Sequence, residues 1–511
     1  MTGGIIRDEP LSWRGVAAVA EGAALSLSDA SLRRIADARG LVESIVAKGI
    51  RAYGINTGVG GLSDVVVEPA QLRHLSRNIV MSHAVGVGTP LRSCEVRAVI
   101  AAAVNNFAHG VSGVRACVVE RLLALLRADC VPEVPAQGSV GYLSHMAHIA
   151  LVLLGDGFVR YQGDRRSGAE ALRSLGLQPL VLEAKEGLSL VNGTPCATGL
   201  SALALQRAGR LLEWADVVSA MTFENLVGQL SAFDSETLGL RASPALAAVG
   251  ARLCVLLEGS AILAAAAGRR TQDPLSLRAI PHVHGAVRDL FASTARVVDS
   301  ELAAATDNPL VIGTADSPRA LSQAHAVGAS IGLNADALGI AVAELAAMSE
   351  RRIDRMVNPL VSGLPPFLAA GGGAGSGFMI AQYAAVSLVA ENRRLAAPAS
   401  LDGGVTSGLQ EDHLVHATPA AIKLLKILDN AESILSIELL ASAQAYDLQS
   451  GALARAPRTD LVYREVRKQI PHYRDDRPLA ADIERARDLI RGPVAVGLGA
   501  REPGEPGEPG S

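Results

Sequence analysis

One stretch of the sequence limits the possible folds more than any other. Residues 323–356, QAHAVGASIGLNADALGIAVAELAAMSERRIDRM, are apolar nearly all round until a charged end. A helix without a polar face belongs in the centre of a bundle rather than on its surface. Hydrophobic residues make up 49% of the 511 residues and aromatic residues only 3%, so Ala, Leu and Val must fill the core. The sequence therefore predicts a mostly α fold.

Other helices are predicted where apolar residues recur at helical spacing. These segments are 28–50, 70–82, 91–108, 114–127, 198–268, 286–304, 380–395 and 418–447. We expect an N-terminal active-site domain at 1–195 and a central and C-terminal helical bundle at 196–500. The last segment, 501–511, is a Gly-Glu-Pro repeat that cannot bury enough apolar surface to fold, which predicts a disordered tail.

Charge, cysteine content and apolar run length exclude several classes of protein. A net charge of −4 with mixed signs gives no basic surface for nucleic acid. The five cysteines show no CxxC pairing, so we predict neither a metal site nor a disulfide framework. The N-terminus lacks a basic-then-apolar signal pattern, and the apolar runs are interrupted by charges before they reach the length of a membrane span. We expect a cytoplasmic protein that binds neither nucleic acid nor membrane.

Nine short sequence motifs follow one another along the chain. They are YGINTGVG (53–60), RNIVMSHAVGVG (77–88), KEGLSLVNGT (185–194), QDPLSLR (272–278), ATDNPLV (305–311), SERRID (349–354), GLPPFL (363–368), SGFMIAQ (376–382) and QEDH (410–413). Together they resemble the histidine and aromatic amino-acid ammonia-lyase family, and most of all its histidine branch. The resemblance implies a long central helical bundle of the aromatic ammonia-lyase (fumarase-like) type. It also implies a homotetramer whose active sites are shared between subunits and bind a small histidine derivative.

The family forms an electrophilic methylidene-imidazolone ring by cyclising an Ala-Ser-Gly that follows GSVG. Here the segment GSVGYLSHMAH, residues 138–148, runs from Gly141 directly into Tyr142. Either the mature ring is present in the protein but left out of the written sequence, or the polypeptide lacks the three residues that form it.

Other departures from the family pattern favour true absence of the ring. Tyr142 stands where the family has Asp, Leu275 where it has Tyr, and Gly375 where it has Asn. The family's Gly-Asn-Phe-His-Gly is replaced by AHAVG at 324–328. Leaving the ring out of the written sequence would not produce substitutions at distant positions around the same cavity. We therefore predict a chain without the tripeptide and without a cofactor, similar in this respect to ergothionase.

The family motifs also predict substrate-binding residues. The resemblance implies that Arg278 pairs with a substrate carboxylate, for which a guanidinium is well shaped, and that Asn192 adds a hydrogen bond. Ser82 stands before His83 in the pair that marks selectivity for imidazole. Gln272 and Gln410, in the QDPLSLR and QEDH motifs, complete the predicted substrate contacts.

The predicted catalytic residues are Tyr53, His83, Glu411, Tyr142 and His145. Tyr53 matches the family's proposed base for the β-proton, and we expect its surroundings to lower its pKa. Glu411 matches the carboxylate that the histidine enzymes keep for the imidazole, where His83 assists it. Tyr142 and His145 are new where the ring would lie, which makes them candidates for acid–base work or for contact with a cation. Taken singly, each residue also has a purely structural interpretation, such as an ion pair, a helix cap or a core side chain.

These residues predict a carbon–nitrogen lyase that eliminates trimethylamine from a histidine betaine without the ring. A trimethylammonium group departs as a neutral amine and needs no electrophilic activation. The substrate is then ergothioneine or hercynine, and the product thiourocanate or urocanate. One alternative is a histidine ammonia-lyase or 2,3-aminomutase whose ring is not written in the sequence. The other is a catalytically silent paralogue that binds a similar ligand.

Overall fold

Helices dominate the structure, which confirms the predicted fold class. The computed structural model describes residues 4–371, 373–449 and 453–494. Within these ranges the α-helices are α1 Trp13–Ala20, α2 Asp29–Ala47, α3 Leu72–His83, α4 Ser93–Phe107, α5 Ala116–Arg127, α6 Ser144–Leu153, α7 Gly168–Ser174, α8 Glu186–Val191, α9 Pro195–Asn225, α10 Ser235–Gly239, α11 Pro244–Leu257, α12 Ala261–Ala266, α13 Leu275–Arg278, α14 Ile280–Leu302, α15 Ala329–Val357, α16 Pro359–Ser362, α17 Met379–Leu395, α18 Ala417–Leu448, α19 Pro457–Gln469 and α20 Ala480–Arg491.

The strands of the described residues are short and form small, separate sheets. They are β1 Ile5–Arg7, β2 Leu25–Leu27, β3 Val87–Pro90, β4 Val131–Pro132, β5 Pro135–Gln137, β6 Phe158–Tyr161, β7 Asp164–Ser167, β8 Leu310–Gly313 and β9 Pro318–Leu321. The β1–β2 pair is parallel, whereas β3–β5, β4–β6–β7 and β8–β9 are antiparallel. The β6–β7 hairpin turns at Gln162 and Gly163, which both adopt positive φ, as the twist of a two-residue hairpin turn requires.

The chain divides into two compact units, each made of three segments. The first unit comprises Met1–Gln206, Leu290–Ile340 and Leu395–Leu428. The second comprises Arg207–Asp289, Ala341–Arg394 and Asp429–Ser511. The predicted boundary at residue 195 stays a prediction, and the predicted tail at 501–511 lies outside the described residues.

Local signals place the helix ends close to where the sequence predicts them. Ser28 caps α2, because its hydroxyl accepts a hydrogen bond from the Ser31 amide at 3.1 Å. Such a cap satisfies one of the backbone donors left open at a helix start. The predicted helix at 28–50 is thereby confirmed, with its last turn ending at Ala47.

The apolar helix α15 is only partly buried within one chain. Leu338 and Val342 are buried, but Leu333 is 54% exposed and Ile340 is 47% exposed. Apolar stretches at Glu186–Asn225 and His325–Val357 have the length and composition of a membrane span. Because 100% and 56% of their apolar windows are buried inside the fold, core packing accounts for the first and for much of the second.

A buried ion pair stabilises the second unit. Arg352, from the SERRID motif, donates from Nε and Nη2 to the two carboxylate oxygens of Glu438 at 2.6 and 2.9 Å. Both side chains are fully buried. Thr222 and Ser349 donate to the same carboxylate at 2.7 and 2.5 Å. Among the described residues Arg352 Nη1 has no hydrogen-bond partner, but the four hydrogen bonds to the carboxylate offset part of the cost of removing two charges from water.

We expect Glu438→Gln to lower the free energy of unfolding by about 3–5 kcal/mol, because it leaves a buried guanidinium without its counter-charge. Urea unfolding at fixed protein concentration measures the change. Glu258→Gln is the matched control, since Glu258 forms an exposed ion pair with Arg458 and exposed pairs contribute little. Equal loss in the two variants would contradict this account of the buried pair.

Candidate active site

The first unit contains a cavity of about 1220 Å³. Its lining comes from the glycine-rich segment within 51–64, from residues 322–330, from the loop within 407–413, and from the isolated side chains Asn192 and Glu301. Six of the predicted site residues line it: Tyr53, His83, Tyr142, Asn192, Gln410 and Glu411. Ser82, His145, Gln272 and Arg278 do not line it.

Close packing of the glycine-rich segment positions Tyr53. Gly54 adopts φ +61°, and a side chain there would collide with Leu188 of α8. The turn is fastened by Thr57, whose hydroxyl accepts from the Gly54 amide at 3.1 Å. The Tyr53 hydroxyl accepts a hydrogen bond from the Gly60 amide at 3.3 Å, which fixes the phenol at the cavity wall.

The pKa of Tyr53 is raised, so the predicted lowering was wrong. Burial of the phenol raises its pKa, because the charged phenolate loses its hydration. The hydrogen bond from Gly60 acts in the opposite direction, and the charge of Glu411 raises the pKa further. The expectation failed because the sequence does not show that the phenol is buried beside a carboxylate.

Tyr142 and Glu411 form a hydrogen-bonded pair within the cavity. The Tyr142 hydroxyl donates to Glu411 Oε2 at 2.7 Å. Burial, this hydrogen bond and the carboxylate charge hold the pKa of Tyr142 well above its usual range. Tyr142 is therefore a neutral hydrogen-bond donor near neutral pH, and it orients Glu411.

The residues around Tyr142 do not fit the family's ring. Gly141 is joined directly to Tyr142, and its carbonyl accepts a hydrogen bond from the Thr418 hydroxyl at 2.6 Å. Leu143 adopts φ 84°, and its amide donates to the Val191 carbonyl at 3.0 Å. No Ala-Ser-Gly follows Gly141, so the segment lacks the residues from which the family's ring forms.

His83 lines the cavity, and the hydroxyl of Ser82 hydrogen-bonds to its imidazole. The Ser82 hydroxyl lies 3.1 Å from His83 Nδ1 and also donates to the Ile79 carbonyl at 3.3 Å. Burial lowers the pKa of His83, so its imidazole is neutral at pH 7. A neutral ring can accept one hydrogen bond and donate another.

His145 lies outside the cavity, in contrast to its predicted role. The side chain is buried on α6, and Nε2 lies 3.1 Å from the Ala136 carbonyl. Since a carbonyl only accepts, Nε2 carries the proton. The nearest explanation is geometric: α6 begins at Ser144, and its first turn directs His145 into the protein.

Asn192 lines the cavity at the end of α8. A side chain at Gly187 would collide with the Ser76 carbonyl, so this glycine allows α8 to approach α3 closely. The Asn192 amide donates to the Asn308 carbonyl at 2.6 Å, and its own oxygen accepts from the Gly193 amide at 2.9 Å. These bonds hold the loop at 307–308 against α8.

Arg278 and Gln272 belong to the second unit and do not line this cavity. The Arg278 guanidinium donates to the Asp273 carbonyl at 2.7 Å. The side-chain oxygen of Gln272 accepts from Arg278 as well. The predicted carboxylate-binding arginine is therefore not among the residues that line the cavity with Tyr53 and Glu411.

Sequence reasoning gave no role to several titratable residues of the cavity, among them Glu301 and His325. The Glu301 carboxylate accepts a hydrogen bond from the Thr194 hydroxyl at 2.7 Å. Burial raises the pKa of Glu301, while Thr194 and His325 lower it. Only their positions in the sequence could have pointed to these two residues. Glu301 lies in the last turn of α14, four residues before the ATDNPLV motif, and His325 lies in the altered AHAVG segment.

A family model described as aromatic amino acid lyase matches residues 11–468. The chain belongs to this family. Histidine ammonia-lyase from Anaeromyxobacter sp. (strain K) is 43% identical over 95% of this lyase and 98% of the relative. Histidine ammonia-lyase from Deinococcus radiodurans is also 43% identical, over 93% and 91%. The predicted carbon–nitrogen lyase is confirmed.

Solved structures confirm the predicted fold type. A histidine ammonia-lyase from Trypanosoma cruzi matches with a TM-score of 0.88 and 36% identity, over 95% of this lyase and 93% of that chain. An ergothionase from Treponema denticola matches with a TM-score of 0.88 but 26% identity, over 96% and 98%.

The predicted elimination of trimethylamine is wrong. Relatives 40–43% identical to this lyase over more than nine-tenths of its length are histidine ammonia-lyases, whereas the ergothionase shares only 26%. The residues that supported the prediction, His83 and Glu411, are those expected to hold the imidazole. They do not distinguish a primary amine from a trimethylated one.

The raised pKa of Tyr142 is open to direct measurement by ultraviolet difference titration. We expect Tyr142→Phe to match the wild type up to about pH 10, the ordinary tyrosine value, because Tyr142 ionises only above it. Tyr383→Phe, whose side chain is 67% exposed, gives the size of the signal of one tyrosine. A smaller signal in Tyr142→Phe below that pH would contradict the pairing with Glu411.

Proposed function

We propose that this lyase eliminates ammonia from histidine to give urocanate. The histidine ammonia-lyase relatives support this substrate and product. The observation that carries the proposal is the meeting of a phenol, an imidazole and a carboxylate in one cavity, at Tyr53, His83 and Glu411. These are the group types needed to remove a carbon-bound proton and to hold an imidazole side chain.

In the proposed reaction Tyr53 removes the β-proton as a phenolate. The electron pair of the broken C–H bond forms the new C=C bond as the C–N bond breaks. The amine leaves from its protonated form as neutral ammonia, so charges and atoms balance. The hydrogen bond from the Gly60 amide fixes the phenol oxygen and stabilises its charged form.

Glu411 and His83 hold the substrate's imidazole. Tyr142 occupies one oxygen of Glu411, which leaves the other oxygen to accept from an imidazole N–H. Neutral His83 supplies the complementary donor or acceptor. Fixing the ring in this way restricts rotation about the side chain and aligns the β-proton with Tyr53.

The substrate carboxylate is bound by Arg278 and Gln272 of a second copy of the chain, in a cytoplasmic homotetramer. Neither residue lines the cavity of its own chain, which supports this assembly. Exposed apolar side chains on two long helices support it too, Leu333 and Ile340 on α15 and Ile380 on α17, because exposed apolar surface favours association.

A substrate panel tests the proposed reaction. We expect histidine to yield equimolar ammonia and urocanate, and phenylalanine to react far more slowly because it cannot bond to Glu411. Release of trimethylamine from hercynine, with no ammonia from histidine, would refute the proposal. A β-amino acid as product would identify an aminomutase instead.

Intact mass shows whether the reaction proceeds without the ring. The printed chain has a mass of 52.8 kDa, and we expect the purified active protein to match it. A mass greater by Ala-Ser-Gly, less the two waters lost in ring closure and in dehydration of the serine, would place the ring after Gly141 and contradict elimination by the residues above.

The pH dependence follows from the raised pKa of Tyr53. Only the phenolate accepts the β-proton, and its fraction increases with pH up to the pKa, which lies above 10.0. We therefore expect kcat/KM to rise with pH from 7 to about 8 in a stopped spectrophotometric assay of urocanate. Above about pH 8, the ordinary range of an α-amino group, the substrate loses the proton with which ammonia must leave. Tyr53→Phe should lower kcat by about 10²–10⁴-fold, the usual contribution of a positioned base. A kcat/KM that is flat between pH 7 and about pH 8 would exclude Tyr53 as the base.

A further inference from the structure

Glu301 presents one unoccupied carboxylate oxygen in the cavity. The Thr194 hydroxyl donates to Oε1 at 2.7 Å, and Thr194 in turn accepts from the Thr198 hydroxyl at 3.3 Å. Because Thr198 supplies the proton in that second bond, the single proton of Thr194 points to Glu301. Among the described residues, no group donates to Oε2. The carboxylate is therefore oriented by the protein on one side and open to a ligand on the other.

The backbone around Thr194 preserves this arrangement. Gly328 lines the cavity with φ +65°, and a side chain there would lie 3.0 Å from the Thr194 methyl group. The Thr194 amide donates to the Thr306 hydroxyl at 3.2 Å. Thr194 is thus held from several directions, and the direction of its hydroxyl toward Glu301 follows from the fold.

His325 adds a second polar group beside Glu301. Its Nδ1 lies 3.1 Å from the Ala305 carbonyl, and since a carbonyl only accepts, Nδ1 carries the proton. In the neutral ring Nε2 is then an acceptor. Glu301 Oε2 and His325 Nε2 both accept hydrogen bonds, so the ligand that suits them must be a donor.

The other carboxylates that line the cavity are less suited to a cation. One oxygen of Glu411 accepts from Tyr142 at 2.7 Å, and its other oxygen is assigned to the imidazole of the substrate. Asp64 pairs with Arg51 at 2.5 Å. Asp412 is exposed, where water weakens its field. Glu301 is partly buried, and burial raises its pKa. A bound cation would offset the cost of keeping this carboxylate charged.

We propose that Glu301 binds the α-ammonium group of the substrate, with His325 Nε2 as a second acceptor. The identity of the substrate as histidine rests on the proposed function. An ammonium offers three N–H donors, which suits the two acceptors. Binding it as the cation also keeps the amine in the protonated form that departs as neutral ammonia. Glu301 therefore acts on the nitrogen, whereas Glu411 acts on the imidazole.

The test compares two ligands that differ only in the amine. Isothermal calorimetry measures binding of histidine and of imidazolepropionate, which lacks the ammonium, in a Tyr53→Phe background that prevents turnover. We expect Glu301→Gln to weaken histidine binding by about 10–100-fold, the worth of a hydrogen bond to a charged group. Imidazolepropionate should change by less than about twofold, because it does not contact Glu301. Equal weakening of both ligands, or of neither, would overturn the proposal.

Two further variants complete the design. Asp289→Asn is the matched control, since Asp289 lies exposed on the same helix and does not line the cavity; it should leave both affinities unchanged. Thr194→Val removes the donor that orients Glu301, and we expect it to weaken histidine selectively but by a smaller factor. A Thr194→Val protein that folds and binds histidine as tightly as the background would count against the proposed geometry.

The binding comparison separates this inference from the proposed reaction. If wild-type protein releases no ammonia from histidine but binds it through Glu301, the proposed function fails and the ammonium site stands. If it releases ammonia and Glu301→Gln affects both ligands alike, the function stands and the ammonium site fails. Absence of histidine binding to the background variant refutes the ammonium site.

Discussion

The candidate active site depends on one buried ion pair, between Lys185 and Asp307. Lys185 Nζ lies 2.9 Å from Asp307 Oδ2, and neither side chain is exposed. Ser189 donates to the same oxygen at 2.8 Å, and the Asn192 amide lies 3.4 Å from Oδ1. Burial lowers the pKa of Lys185, while the Asp307 charge raises it. The pair joins the start of α8 to the loop after α14, so it sets the spacing between Asn192 and the residues that precede the loop.

The same ion pair explains why two family motifs were informative. KEGLSLVNGT and ATDNPLV contain its two charged residues, so much of each motif maintains structure and only a few residues face the cavity. Helix positions were predictable because capping residues and apolar spacing are local properties, as at Ser28 and α2. The incomplete burial of α15 was not predictable, because periodicity shows that a face is apolar but not whether its partner lies in the same chain.

The cavity was predictable in part. Most of the predicted residues that line the cavity belong to a family motif, and the local sequence fixes the backbone conformation of that motif. These residues are Tyr53, His83, Asn192, Gln410 and Glu411. Arg278 was predicted from the same kind of motif, yet it does not line the cavity, because the spacing of motifs along the sequence does not show which of them share a cavity. The direction of the pKa of Tyr53 was beyond sequence reasoning too, since burial and the distance to Glu411 are tertiary properties.

The error in the predicted substrate has a chemical cause. The recognised residues are those that the family pattern assigns to an imidazole, and histidine and its betaine share that ring. What distinguishes the two molecules is the nitrogen: a primary ammonium donates three hydrogen bonds, whereas a trimethylammonium donates none. A site for the second would present aromatic faces, but an oriented carboxylate oxygen and an imidazole acceptor suit the first. Glu301 Oε2 and His325 Nε2 are acceptors of this kind. Glu301 precedes the ATDNPLV motif, and His325 lies in the AHAVG segment that replaces a family motif. The residues that discriminate between the substrates therefore lie where the family pattern gave no assignment.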